Sequence, residues 1–324
     1  MAVYTEVPDD DLAAFVAEYD IGRVLSCKGI AEGVENSNYL LQTENGNFIL
    51  TLYERRVDES DLPYFLGLMA HLADKGLPCP TPTLGRDGRA LRRLCGRPAA
   101  IVTFLPGVWH RRVGSDDTGQ LGTALADMHV KGMDFPLQRP NSLSVESWRP
   151  LFAQSRERAH EVLPDLAEEL EAELDHLEAA WPTCARLQLP TGNIHADLFP
   201  DNVFFLGERL SGLIDFYFAC TDFLCYDLGV CLNAWCFEPD TSFNITKARL
   251  MFAGYRGVRE LARDEMEVMP LMARGSAMRF LLTRLYDWLH RPEGAMVTPK
   301  DPLEYVRKLR FHQRVGSAAA YGLD

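Results

Sequence analysis

The stretch HADLFPDN at 195–202 sets Asp197 five residues before Asn202, and IDF at 214–216 then supplies Asp215. At this spacing an aspartate can take the proton of an attacking hydroxyl while the Asn amide oxygen holds a magnesium ion. A second carboxylate at a nearby strand end can bridge such a metal to phosphate oxygens, and magnesium asks for few protein ligands, all hard oxygens. Asp, Asn and Pro are also ordinary turn residues, so the Asp197 to Asn202 spacing alone would equally describe a turn between buried strands. The joint pattern carries the chemical reading: His-x-Asp-x4-Asn, a hairpin, then Ile-Asp-Phe, all behind a β-rich first lobe. Within it, His195 reads as a brace for the backbone and Asp201 as a turn cap beside Pro200.

Elements on both sides must position these groups. VFFL at 203–206 and LSGLI at 210–214 read as two short strands turning at Gly207 and Glu208, which delivers Asp215 beside the loop. Upstream, residues 9–19 form a helix with Leu12, Phe15, Val16 and Tyr19 on one face. VLSCKGIAEG, SNYLLQT and NFILTLYE read as three antiparallel strands, the last two joined at Asn45-Gly46. A helix over 60–75 ends at Gly76, and RALRRLC and PAAIVTFL complete five strands. Beyond Leu105-Pro106-Gly107 the periodicity is helical, over 116–130, 146–180, 244–262, 264–290 and 301–315. The expected organisation is a nucleotide-binding lobe over 1–104 and a catalytic and substrate-binding lobe over 105–324.

Composition narrows the partners. The chain has 324 residues, 47% of them apolar, and a net charge of −13 that would repel a phosphate backbone or an anionic membrane surface. No nucleic-acid or membrane partner is expected, and an acidic amino terminus with no long apolar stretch leads to the expectation of a cytoplasmic protein. Eight cysteines without a CxxC pair read as free thiols, the last four as buried structural ones.

No GxxxxGK[ST] is present. Gly29 and Gly33 flank a strand turn where a backbone could approach phosphate closely, and Lys28, Asn36, Ser37 and Asn38 are the candidate nucleotide-binding side chains, although an ordinary polar hairpin reads the same way.

The loop HADLFPDN with IDF resembles the aminoglycoside phosphotransferase and choline kinase superfamily, and the resemblance runs through GLPCPTPTL, FLPG and LGTALADMH across nearly the whole chain. More narrowly, GVENSNYLLQT, FILTLYERR, FLGLMAHLADKGLPCP and SLSVESWRP resemble the homoserine kinases built on that fold. The resemblance implies an α+β, bilobal, protein-kinase-like fold with a small five-stranded antiparallel lobe and a larger, mainly α-helical one. It further implies ATP and Mg2+ as cofactors and a small-molecule alcohol as substrate. Asp197 would be the base, Asn202 and Asp215 the metal ligands, and Asp222 and Asp227 in CTDFLCYDLG structural braces.

One position departs from the family. Where its third strand carries a phosphate-pairing Lys, this chain has Thr51. Either Lys28 or Arg55 supplies the charge, or magnesium suffices, or the chain is a catalytically silent nucleotide-binding regulator; Glu59, without a Lys to pair, would cap its helix. The implied reaction is transfer of the ATP γ-phosphate to the hydroxyl of L-homoserine, with choline, an aminoglycoside or a methylthioribose-type sugar as alternative acceptors. An amino-acid acceptor needs partners for both charges, and Asn233, Trp235, Arg279, Arg284, Tyr286 and Asp287 are the candidates.

Overall fold

The computed structural model describes residues 5–30, 36–54, 58–291 and 299–323. Gly33 and Arg55 therefore lie outside the described residues. The first lobe is a five-stranded antiparallel sheet in the order β1-β2-β3-β5-β4, formed by Val24–Gly29, Ser37–Thr43, Gly46–Leu52, Arg97–Thr103 and, at its edge, β4 Arg92–Leu94. Gly46, at φ 141°, makes the tight turn into β3 that the Asn45-Gly46 step predicts.

The two faces of this sheet have different tasks. Tyr39, Leu41, Leu50, Leu52, Ala99 and Ile101 alternate onto one face and bury Leu12, Phe15 and Val16 of helix α1 (Asp9–Val16). The opposite face carries Ala100 and Val102, which join Tyr53 and helix α2 (Leu62–Asp74) in the large core. That core runs on without a break into the second lobe, so the lobes share apolar packing through α2.

The connection at 105–108 is pinned from one side. Val108 and Phe205 exchange backbone hydrogen bonds of 2.9 and 2.8 Å, and Ser211 Oγ donates to the Pro106 carbonyl at 2.8 Å. Gly107, at φ 134°, permits this approach: a Cβ there would stand 2.5 Å from Ser211 Oγ and 2.8 Å from the Phe205 carbonyl.

The second lobe is mainly helical: α3 (Ser115–Gly132), α4 (Val145–Ala153), α5 (Leu166–Ala180), α6 (Pro182–Arg186), α7 (Leu224–Trp235), α8 (Ile245–Arg256), α9 (Arg263–Glu267), α10 (Met269–Leu289) and α11 (Leu303–His312). Helices α3 and α8 touch backbone to backbone. A Cβ on Gly122 would lie 1.9 Å from the Met251 carbonyl oxygen.

Two helices expected as continuous are divided. The span 146–180 breaks between α4 and α5, where Pro164 lacks a donor and Asp165 adopts a left-handed φ of 61°. The span 264–290 breaks at Val268, before Pro270 in the first turn of α10. The stripe Leu166, Leu170, Leu174 and Leu177 is fully buried, as are the thiols of Cys220, Cys225, Cys231 and Cys236. Two ribbons lie among the helices: β6 (Thr191–Ile194) with β9 (Cys220–Phe223), and β7 (Val203–Leu206) with β8 (Arg209–Leu213). Sequence periodicity misses β6 and β9, which are too short to show alternation. Among the described residues no helix is long and apolar enough to cross a membrane.

Candidate active site

Strand β6 ends at Ile194, and His195, Ala196 and Asp197 follow it directly. Ala196 holds a left-handed φ of 62°, costly for a residue with a Cβ unless its surroundings enforce it. Here they do. Its N–H donates to Asp227 Oδ1 at 2.9 Å, and its carbonyl accepts from Arg279 Nη1.

Asp227 also takes the His195 N–H at 2.7 Å and lies 3.2 Å from His129 Nε2, whose Nδ1 meets Tyr255 Oη at 2.8 Å. Burial would raise the Asp227 carboxyl, but the His129 bond and the donors from 195 and 196 hold it below the ordinary aspartate value. A carboxylate with this many donors fixes the turn in one shape. Asp222 sits on β9, ahead of α7, accepting from Asn141 Nδ2 and the Phe223 N–H, with its carboxyl raised by burial.

Asn202 closes the loop. Its Nδ2 donates to the Asp197 carbonyl at 2.8 Å and lies 3.4 Å from Asp197 Oδ2. That leaves the amide oxygen as the atom able to take a cation. From the β7–β8 hairpin the chain returns through Ile214, whose N–H donates to the Asn202 carbonyl at 3.0 Å, to an exposed Asp215 at φ 63°. The amide oxygen of Asn202 and the carboxylate of Asp215 are hard oxygen donors, and such a pair suits Mg2+, which fills its remaining positions with water and phosphate.

His195 is fully buried and joins the two halves. Its Nε2 donates to the Ile214 carbonyl at 2.9 Å, so Nδ1 is the acceptor that faces the Asp197 N–H at 3.3 Å. Burial pushes its pKa down, which keeps the ring neutral. Asp197 itself is pushed up to about 8, first by burial; Arg279 and Lys300 pull it down while Asp215 and Asp201 push it up.

Several expected side chains are committed elsewhere. Asn36 and Ser37 are buried: Ser37 Oγ donates to Glu54 Oε1 at 2.7 Å, and Asn36 Oδ1 faces the Glu54 N–H at 3.4 Å. Asn38 Oδ1 accepts from Thr51 Oγ1 at 2.8 Å. These three side chains lock the ends of β2 and β3, leaving Lys28 and Gly29 of β1 as the exposed members of the expected nucleotide set among the described residues. Register places Lys28 opposite Leu40, and Leu40 opposite Ile49, on the face of the sheet that also bears Thr51. Glu59 does not cap its turn; Asp58 does, while both Glu59 oxygens accept from Arg93 Nη2.

The expected acceptor residues also lie mostly within the packing. Asn233 is fully buried, its Nδ2 donating to the Gly229 and Ala273 carbonyls and Oδ1 lying 3.0 Å from His312 Nε2. Trp235 donates from Nε1 to the Leu198 carbonyl at 2.8 Å, supporting the loop from beneath. Arg279 is 2% exposed and lies over the Phe280 and Phe218 rings. Arg284 pairs with Glu304 at 2.6 Å and stacks over Tyr305, Tyr286 stacks on His290, and Asp287 is exposed. The aromatic pair Tyr53 and Tyr217 went unnoticed in the sequence. Their hydroxyls lie 3.3 Å apart and their rings meet edge to face, joining the end of β3 to the segment just after Asp215.

Residues 26–261 match the model of the phosphotransferase enzyme family, which is more than half of the chain. The chain belongs to this family. Among curated phosphotransferases it is 65% identical to a homoserine kinase of Paramagnetospirillum magneticum and 63% identical to one of Rhodospirillum rubrum, each covering 100% of both chains. A homoserine kinase of Rhizobium etli is 60% identical over the same span. Solved phosphotransferases share the fold at much lower identity. An amicoumacin kinase in complex with AMP-PNP and calcium superposes with a TM-score of 0.71 at 15% identity, covering 96% of this chain and 94% of the other. The choline kinase of Cryptosporidium parvum gives 0.64 at 13%, covering 89% and 88%. The fold is therefore bilobal and protein-kinase-like.

Proposed function

We propose that this phosphotransferase moves the γ-phosphate of ATP to the side-chain hydroxyl of L-homoserine, giving O-phospho-L-homoserine and ADP, a step that serves threonine biosynthesis. The observation that carries this is the full-length identity of 60–65% to homoserine kinases. The loop geometry agrees with it. Asp197 accepts the hydroxyl proton as the oxygen attacks the γ-phosphorus and the bond to the ADP oxygen breaks. Asn202 and Asp215 would hold Mg2+, which when bound neutralises charge on the phosphate oxygens. Arg279, Asp227 and His195 hold the base where it can work, and positioning is most of what phosphoryl transfer asks of a protein.

Within this reading, residues 1–104 and 105–324 are the nucleotide and acceptor lobes, and Lys28 with the Gly29 turn lies toward the phosphates. The reaction is assigned to the cytoplasm, in keeping with eight thiols that are all unpaired. The test is ADP release by purified protein with ATP and Mg2+, offered in turn L-homoserine, choline, a methylthioribose-type sugar and an aminoglycoside. Turnover with homoserine alone is expected. Turnover with another alcohol discards the acceptor, and silence with all four despite tight ATP binding discards the reaction.

A further inference from the structure

Two residues beyond Asp197, Phe199 meets Phe280 edge to face at 4.9 Å and Phe280 lies 5.5 Å from Tyr305, an aromatic row that ties the loop to α10 and α11. At its rim stands Lys300, with Nζ 5.1 Å from the Phe199 ring centre and 3.9 Å from Asp201 Oδ2.

Two cations meet this loop. Arg279 is buried and tied to the Ala196 carbonyl, whereas the Lys300 side chain is 61% exposed and that of Asp201 is 53% exposed. An exposed pair at such a distance contributes little to stability, so separating it costs little. Asp201 is expected to cap the turn, yet it pairs with Lys300 and the short Pro200–Asn202 turn has no side-chain cap. Arg284, the other expected carboxylate partner, is occupied by Glu304.

We propose that Asp201 and Lys300 form a clamp for an amino-acid zwitterion: the acceptor's ammonium replaces Lys300 at Asp201, and its carboxylate replaces Asp201 at Lys300. The hydroxyl end then reaches Asp197, which precedes Asp201 by four residues in the same loop, while Phe199 covers the methylenes. This rests on the homoserine reading above and adds what recognises the two charges.

The test compares Lys300→Gln, Asp201→Asn and Lys300→Arg with the wild type, using L-homoserine as substrate. Two homologues that each lack one charge, 3-aminopropan-1-ol and 4-hydroxybutanoate, serve as substrates or competitive inhibitors. Lys300→Gln is expected to weaken homoserine and 4-hydroxybutanoate about tenfold or more, the effect of losing one charge-assisted contact. It should leave 3-aminopropan-1-ol and the KM for ATP nearly unchanged. Asp201→Asn should weaken homoserine and 3-aminopropan-1-ol but spare 4-hydroxybutanoate, and Lys300→Arg should restore much of the loss. Equal effects on all three acceptors, or none, overturn the clamp while the kinase reading stands. No turnover of homoserine by the wild type overturns both.

Discussion

His195 donates from Nε2 to the carbonyl of Ile214 at 2.9 Å, and this bond joins the turn bearing Asp197 to the corner bearing Asp215. Two segments nineteen residues apart in sequence are thereby held as one piece. The imidazole takes no proton in this role; it is a spacer with one donor and one acceptor. Replacing it by Ala takes the partner from a part-buried carbonyl and a part-buried N–H, at a cost of up to about 1 kcal/mol each. His195→Ala should therefore lower Tm and raise the Mg2+ concentration needed for half-maximal rate more than it raises the KM for ATP. A magnesium titration of the variant against the wild type checks this.

Asp197→Asn removes the carboxylate proposed above as the proton acceptor while keeping the shape of the loop. The expected loss in kcat is roughly a hundred- to ten-thousand-fold, with ATP affinity changed little. Single-turnover kinetics and nucleotide titration separate the two quantities.

The pH dependence of the rate follows from the same residue. In the free enzyme the Asp197 carboxyl is pushed up to about 8, chiefly by burial, so it is protonated at neutral pH, and a reaction that uses it as the proposed base should gain rate as pH rises. The kcat/KM for ATP, which reports the free enzyme, should climb with unit slope and level off near that value. With ATP and Mg2+ saturating, nearby positive charge favours the carboxylate, and the limb in kcat/KM for the acceptor should move to lower pH. A limb at the same pH in both profiles would place the titrating group elsewhere.

Asp227→Asn replaces an acceptor of three donors by an amide that presents a donor of its own. Breaking a buried charged network of this kind costs about 3–5 kcal/mol. The sign with pH follows from the depressed folded value: the stability Asp227 contributes is present above the unfolded aspartate pKa and is lost as pH falls through the folded one. The variant should thus be destabilised at neutral pH and less so in acid, as read by denaturant melts at both.

Thr51 tests how the missing strand lysine is accommodated. Thr51→Val removes the bond to Asn38 and should change kcat by no more than about fivefold, since a neutral hydroxyl bond contributes near 1 kcal/mol. Thr51→Lys should not improve the enzyme, because the position is 2% exposed and Glu59 is already paired with Arg93. Steady-state kinetics of both variants, with thermal melts, decide it.

The turn over 195–202 and the return of the chain to Asp215 were legible because both are local. Asp197 and Asn202 share one loop, and a two-strand hairpin of recognisable length returns Asp215 to it. The five-stranded lobe was legible for a similar reason, since Asn45-Gly46 and period-two alternation act over a few residues. What failed depends on partners far along the chain. Arg279 reaches Ala196 across 83 residues and Trp235 reaches Leu198 across 37. Helical periodicity says that such a residue faces inward, not which carbonyl awaits it. The polar run Asn36, Ser37 and Asn38 fits a phosphate turn and a braced hairpin equally well, and the deciding group, Glu54, has no sequence mark. The Gly122 contact with Met251 was invisible for the opposite reason, since what matters there is the absence of a side chain.

The edge-to-face contact of Tyr53 with Tyr217 has a consequence for inheritance. One ring follows β3, the central strand of the first lobe's sheet, the other follows Asp215 in the second, and each hydroxyl has the other as neighbour. A recombinant that takes one lobe from a distant relative separates the pair and leaves a buried hydroxyl facing a stranger. Exchanged together, the two positions keep the joint between halves intact, so lineages that shuffle lobes should retain or lose both tyrosines at once.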